Sequence, residues 1–169
     1  RANIHESKEE KETSMSQLME EILSRENMTL AYKKAKANKG ASGVDGISVD
    51  EIQEYLKENW VSIKERIQKR KYKPQPVLRV EIPKPDGGVR KLGIPNVVDR
   101  ILEQAIVQVI TPIVEPYFSD YSYGFRPGRR AQQAVVKLLE YLNDGYIYIV
   151  DIDLEKFFDR VNHDILMDR

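Results

Sequence analysis

The 169-residue chain contains no cysteine, two histidines, one tryptophan and no net charge, with 27 Lys and Arg balanced by 27 Asp and Glu. Without cysteine there is no disulfide framework and no thiolate metal site, and the redox compartment is left open, although a reducing one fits. No apolar run approaches the roughly 20 residues that crossing a bilayer requires. The opening RANIHESKEEKE is too polar for a signal peptide, so no membrane partner is expected. Zero net charge excludes a uniformly basic protein that coats nucleic acid, but not one whose charge is segregated. The chain begins with Arg1 and ends at Arg169 close behind an apolar run, so both ends are expected to be cuts from a longer polypeptide.

What is present is 41% hydrophobic residues, enough for a core of ordinary size. Taken by segment, the charge is far from neutral. Residues 60–91 hold ten Lys and Arg against three acidic residues, a net +7, whereas residues 140–169 hold three against eight, a net −5.

Hydrophobic spacing predicts the elements. Met15, Leu18, Met19, Ile22 and Leu23 mark one helix face, and Asn27 is placed to cap a second helix carrying Met28, Ala31, Tyr32 and Ala35 as far as Asn38-Lys39-Gly40. GASGVDG at 40–46 reads as a loop. Ser48 and Glu51 have capping-box spacing ahead of a long helix through Ile52, Leu56, Trp60, Ile63 and Ile67. Leu78, Val80 and Ile82 then alternate with Arg79 and Glu81, PKPDGG intervenes, and a short run follows at Val89–Ile94, the pattern of a β-hairpin. From Asn96 a strongly apolar helix is predicted, with Pro112 and Pro116 bending and finishing it. An aromatic loop and a helix closed by Asn143-Asp144-Gly145 come next. YIYIVDID at 146–153 reads as a strand buried on both faces. The expected class is α+β.

Three places can carry chemistry. On a strand, Asp151 and Asp153 share a face, and paired carboxylates suit Mg²⁺, which keeps water and substrate phosphates in its other positions. Strand-end aspartates also simply cap the turn that follows. At the hairpin tip, Lys84, Arg90 and Lys91 flank a glycine-rich turn where backbone and cations can meet phosphate oxygens. Lys69, Arg70, Lys71, Lys73 and Arg79 extend that charge as the footprint of a polyanion. In SYGFRPGRR and the tyrosine just before it, Tyr121, Tyr123 and Phe125 mix with Arg126, Arg129 and Arg130, the composition that binds single-stranded nucleic acid by stacking and backbone contact, unless Phe125 belongs to the core. His5 and His163 read as capping or structural residues, and Trp60 as packing.

Four blocks, AYKKAKANKGASGVDG, IPKPDGGVRKLGIPNVVDRILEQAI, YSYGFRPGRRAQQAV and YIVDIDLEKFFDRVNHDIL, resemble in sequence and order the N-terminal half of group II intron-encoded reverse transcriptases, the bacterial maturase family. The resemblance implies a helix-rich reverse transcriptase fingers subdomain with its β-hairpin, plus the beginning of the polymerase palm. Residues 1–13 would be a flexible lead, 14–59 the N-terminal extension helices and loop, 60–143 the fingers, and 144–169 the start of the palm. It implies RNA-directed DNA polymerisation with Mg²⁺ and deoxynucleotides on an RNA template and a DNA primer, binding of structured intron RNA, and a place in the bacterial cytoplasm.

By the family's D-x-x-x-x-F pattern, Asp153 becomes the catalytic metal ligand and Phe158 the aromatic gate against a ribose 2′-OH, with Asp151 in support and a backbone carbonyl of Ile152 or Leu154 beside them. Lys84 and Arg90 would hold the incoming triphosphate, GASGVDG would lie over the template, and SYGFRPGRR would lie near the template path. The family's Tyr-Ala-Asp-Asp turn is missing, and no Asp-Asp pair occurs in the sequence. Two-metal phosphoryl transfer needs several carboxylates around ions roughly 4 Å apart, so the chain alone is expected to be inactive. Two other readings stand beside this one. One is a non-catalytic RNA-binding module working through the basic segment; the other is a metal-dependent nuclease or phosphatase, for which further ligands are not in supply. Apolar surface around 146–153 is expected to drive homodimer formation.

Overall fold

The computed structural model describes residues 16–85, 87–154 and 157–168, apart from the side chains of 158, 159 and 167. Met15, the first residue of the expected helical stripe, lies outside them. The chain divides into two compact units, one ending at Tyr117 and the other beginning at Phe118.

The first unit holds α1 (16–22), α2 (Arg25–Ala37), α3 (Ile52–Gln68), a hairpin of β1 (Leu78–Pro83) and β2 (Val89–Ile94), and α4 (Val97–Val114), followed by a 3₁₀ turn at Glu115–Tyr117. Its core is built around α4. Val97, Val98, Ile101, Leu102, Ala105 and Val109 are buried against Ile22 and Leu23 at the end of α1, Ala31 and Ala35 of α2, and Ile52 and Ile63 of α3. Ala31 and Ala105 are both fully buried, and side chains this small let α2 and α4 approach closely. The 18-residue α4 contains Pro112, which removes the N–H owed to the carbonyl of Gln108, and it ends two residues later. Pro116 falls in the 3₁₀ turn.

Two local expectations meet different outcomes. Asn27 is not the cap of α2: Ser24 is, its Oγ accepting the Asn27 N–H at 3.3 Å. Asn27 instead ties three segments together. Its Nδ2 donates to Ile22 O at 2.9 Å and Ala105 O at 3.0 Å, and its Oδ1 accepts from Gln108 Nε2 at 2.7 Å. By contrast the Ser48–Glu51 box forms as the spacing predicts, Glu51 N donating to Ser48 Oγ at 3.3 Å and Ser48 N to Glu51 Oε2 at 3.0 Å. Hydrogen bonds from the Ser48 hydroxyl and N–H hold the Glu51 carboxyl below the usual carboxylate range.

The loop 40–46 docks on the start of α4. A Cβ at Gly43 would lie 2.8 Å from the Asn96 backbone, so only glycine permits the approach, and Arg100 Nη2 donates to Ala41 O at 2.6 Å.

The second unit holds α5 (Ala131–Asn143), α6 (Phe157–Arg160) and α7 (His163–Met167). Asn162 caps α7 by accepting from Ile165 N at 3.0 Å, with His163 the next residue as expected. The expected two-face strand at 146–153 does not form: these residues carry no ladder and are exposed. A strand exists only through its neighbours' hydrogen bonds, and among the described residues the one sheet is β1 paired with β2.

Candidate nucleotide and nucleic-acid site

The hairpin is antiparallel, with Leu78 opposite Ile94, Val80 opposite Leu92, and Ile82 opposite Arg90. Its tip closes with Lys84 N donating to Gly88 O at 2.7 Å and Gly87 N to Lys84 O at 3.1 Å. Gly87 has φ +83°, a conformation glycine adopts freely. Because side chains alternate along a strand, the register separates cations that the sequence grouped together. Arg90 shares a face with Val80, Ile82 and Leu92, whereas Lys91 lies on the other with Arg79 and Glu81. Lys91 approaches Glu81 at 3.9 Å, and with both side chains well exposed that pair contributes at most about 1 kcal/mol. Described residues 73–91 are all exposed, leaving the cations in water where a polyanion can reach them.

Several members of the basic segment already have partners. Lys69 pairs with Glu65 one turn back on α3. Arg66 lies over the Tyr72 ring, 5.5 Å from its centroid. Arg70 ends the helix in left-handed backbone, φ +55°, with the Lys71 and Tyr72 N–H groups both turned back to Arg66 O. Lys71 and Lys73 are exposed.

In the second unit the SYGFRPGRR arginines hold the loop itself. Arg126 Nη1 donates to Ser119 O at 2.6 Å and Ser122 O at 2.9 Å, with its guanidinium 5.2 Å from the Phe118 ring. Arg129 reaches Asp120 Oδ1 at 3.2 Å and lies 5.8 Å from the Tyr123 ring. Arg130 opens α5, its N–H donating to Gln133 Oε1 at 2.7 Å. Phe125 is fully exposed in left-handed backbone, φ +56°, so it is not core within this chain. Sequence reading passed over Lys137, whose ammonium lies 5.0 Å from the Tyr141 ring and 6.0 Å from that of Tyr121. An i, i+4 Lys-Tyr spacing on α5 was the available signal.

Asp151 and Asp153 are exposed, as are Ile152 and Leu154. Without a ladder, the shared face expected of the two carboxylates does not arise. Asp153 Oδ1 accepts from Leu154 N at 2.9 Å. Among the described residues no group of three His, Cys, Asp or Glu side chains is placed to hold a metal. The donors are hard oxygens, right in kind for Mg²⁺, but the set is too small to form a site. The Phe158 side chain lies outside the described residues.

The sequence profile described as "Reverse transcriptase (RNA-dependent DNA polymerase)" matches residues 82–169. Protein YkfC of Escherichia coli K12 is 34% identical over 159 residues, 90% of this chain and 42% of YkfC. The group II intron-encoded protein LtrA of Lactococcus lactis is 34% identical over 135 residues, 79% of this chain and 22% of LtrA. A putative COX1/OXI3 intron 2 protein of Saccharomyces cerevisiae is 32% identical over 168 residues, 98% of this chain and 19% of its own length. The chain thus spans less than half of each of these relatives. In backbone it matches a chain of a partial Cas6-RT-Cas1–Cas2 complex with TM-score 0.51 at 23% identity, covering 90% of this chain and 24% of that one. No helix among the described residues is long and apolar enough to cross a membrane.

Proposed function

The chain belongs to the reverse transcriptase (RNA-dependent DNA polymerase) family, and on that premise we propose that it supplies the nucleotide-binding fingers and the first palm carboxylate of an intron-encoded polymerase that copies RNA into DNA. The observation that carries this reading is the hairpin. It presents Lys84 at a tight tip and Arg90 on one strand face, both exposed, within a family whose reaction consumes deoxynucleoside triphosphates. Cations on a rigid turn restrain a triphosphate by charge-assisted hydrogen bonds and hold its α-phosphate in line with the primer 3′-OH. Asp153, with Asp151 in support two residues earlier, would hold Mg²⁺, and that ion would supply neutralisation of the charge on the phosphates. Further carboxylates must complete that site, so this chain alone makes no DNA.

Template RNA and intron RNA are the polyanions that the exposed cations Arg70, Lys71, Lys73 and Arg79 serve. Arg90→Ala in the full-length protein should raise the deoxynucleotide KM by at least about tenfold, the value of one hydrogen bond between charged groups, with RNA affinity unchanged. Steady-state primer extension against nucleotide concentration makes the measurement, and an unaltered KM sinks the triphosphate role.

We also infer that the isolated chain forms a homodimer. Val135, Leu138, Leu139 and Leu142 of α5 and Ile147, Ile149, Val150 and Ile152 beyond it are all exposed, more apolar surface than a soluble unit leaves in water. Light scattering at high micromolar concentration should return twice the chain mass; a monomer there ends the idea.

A further inference from the structure

The exposed hairpin has its direction set at its root. The segment 69–77 leads into β1 without regular structure, and β2 runs through Pro95 and Asn96 straight into α4. Between these two connections stands Asp99, in the first turn of α4 and 4% exposed. Tyr72 Oη donates to Asp99 Oδ1 at 2.6 Å, and Gln75 N donates to Asp99 Oδ2 at 3.3 Å. Each carboxylate oxygen thus clamps one point of the incoming segment onto the helix that receives the outgoing one. A buried carboxylate tolerates this position because the helix N-terminus favours negative charge and both oxygens are hydrogen-bonded. Burial, helped by the Asp99 carboxylate, pushes the Tyr72 hydroxyl above the usual phenol range, so it remains a donor throughout the working pH range. Farther up, Val77 crosses Gly93 so closely that a Cβ on Gly93 would lie 2.9 Å from Val77 Cγ2.

We propose that Tyr72 and Asp99 form a latch that fixes the angle of the β1–β2 hairpin, and are thereby positioning residues for the incoming nucleotide: they place Lys84 and Arg90 without touching it. The role rests on the triphosphate reading given above, but the latch itself is a separate mechanical claim. Two hydrogen bonds about a buried carboxylate close the stretch where the entry and exit of an exposed hairpin meet the core helix. Loosening them lets Lys84 and Arg90 sample positions in which they miss the phosphates, which weakens nucleotide capture more than it slows the chemical step once the nucleotide is seated.

The test compares Tyr72→Phe, Asp99→Asn and Arg90→Ala in the full-length protein. Tyr72→Phe keeps the ring beneath Arg66 and removes only the donated bond. Amide hydrogen exchange of β1 and β2 should become about tenfold faster while α4 amides keep their protection, as for a local opening. The deoxynucleotide KM should rise about tenfold with kcat within about twofold. Asp99→Asn retains an acceptor for Tyr72 but turns an N–H toward that of Gln75, leaving two buried donors face to face, so its hairpin exchange should be at least as fast as that of Tyr72→Phe. Unchanged hairpin exchange in Tyr72→Phe overturns the latch. Faster exchange of α4 to the same extent also overturns it, because that is global destabilisation. Faster hairpin exchange with an unchanged KM, where Arg90→Ala does raise KM, overturns the positioning role. If Arg90→Ala is silent as well, the triphosphate reading falls and takes the positioning role with it, while the exchange data still decide the latch.

Discussion

Asp153→Ala in the full-length protein should reduce DNA synthesis by at least about a thousandfold, equivalent to about 4 kcal/mol of lost transition-state stabilisation, while RNA affinity stays within about twofold of wild type. The asymmetry follows from what the residue touches. Asp153 is exposed and accepts a hydrogen bond from its own backbone neighbour, Leu154 N, so its removal costs the fold little. A carboxylate that holds a divalent ion against reacting phosphates contributes only where charge develops, so its loss falls on turnover.

The complementary variant neutralises Lys69, Arg70 and Lys71 together. It should weaken RNA binding and lower the slope of log affinity against log salt by up to about 2, near 0.7 for each phosphate no longer neutralised, with the nucleotide KM unmoved. Lys69 already shares Glu65, so any shortfall from three phosphates is assigned to that position. Single-turnover primer extension and filter binding across a salt series measure the two arms. If Asp153→Ala extends primers at more than a tenth of the wild-type rate, the metal-ligand role of Asp153 is lost and Asp151 takes its place; a wild-type full-length protein that extends no primer at all would leave the non-catalytic RNA-binding reading instead.

The sequence pattern reached furthest where a signal is local. The capping box at Ser48 and Glu51, the alternation of β1 and β2 and the Asn143-Asp144-Gly145 stop depend on neighbours within a few residues, and each forms as read. It reached less far where the outcome depends on distant partners. Asn27 has the composition of a cap, but its amide can satisfy Ile22, Ala105 and Gln108 at once, and Ser24 was free to cap instead. YIYIVDID has the composition of a central strand but, among the described residues, no ladder partner, so the shared face predicted for Asp151 and Asp153 never arises. Asp99 was invisible as a site residue because its partners, Tyr72 and Gln75, lie 27 and 24 residues away.

The α4 helix shows how a nearly continuous apolar pattern resolves into two faces, and it sets the second large expected effect. Val98, Ile101, Leu102, Ala105 and Val109 are buried, whereas Ile106, Val107 and Ile113 are close to half exposed. Ile101 is 2% exposed at the centre of the first set. Ile101→Ala should therefore remove about 3–4 kcal/mol, the transfer of the deleted carbons plus the cavity they leave, because α2 and α3 are already held in place and cannot collapse onto it. Val107→Ala on the same helix should cost less than about 1 kcal/mol, since most of the lost surface was already in water. For a unit of about this size, the difference corresponds to a drop in Tm of roughly 15 °C or more for Ile101→Ala and only a few degrees for Val107→Ala. Thermal unfolding followed by far-ultraviolet circular dichroism makes the comparison. Equal losses at the two positions would mean that α4 does not pack by the face assigned to it. Asp99 would then have no fixed helix to stand on, since Val97, Val98 and Ile101 seat the same first turns that carry it.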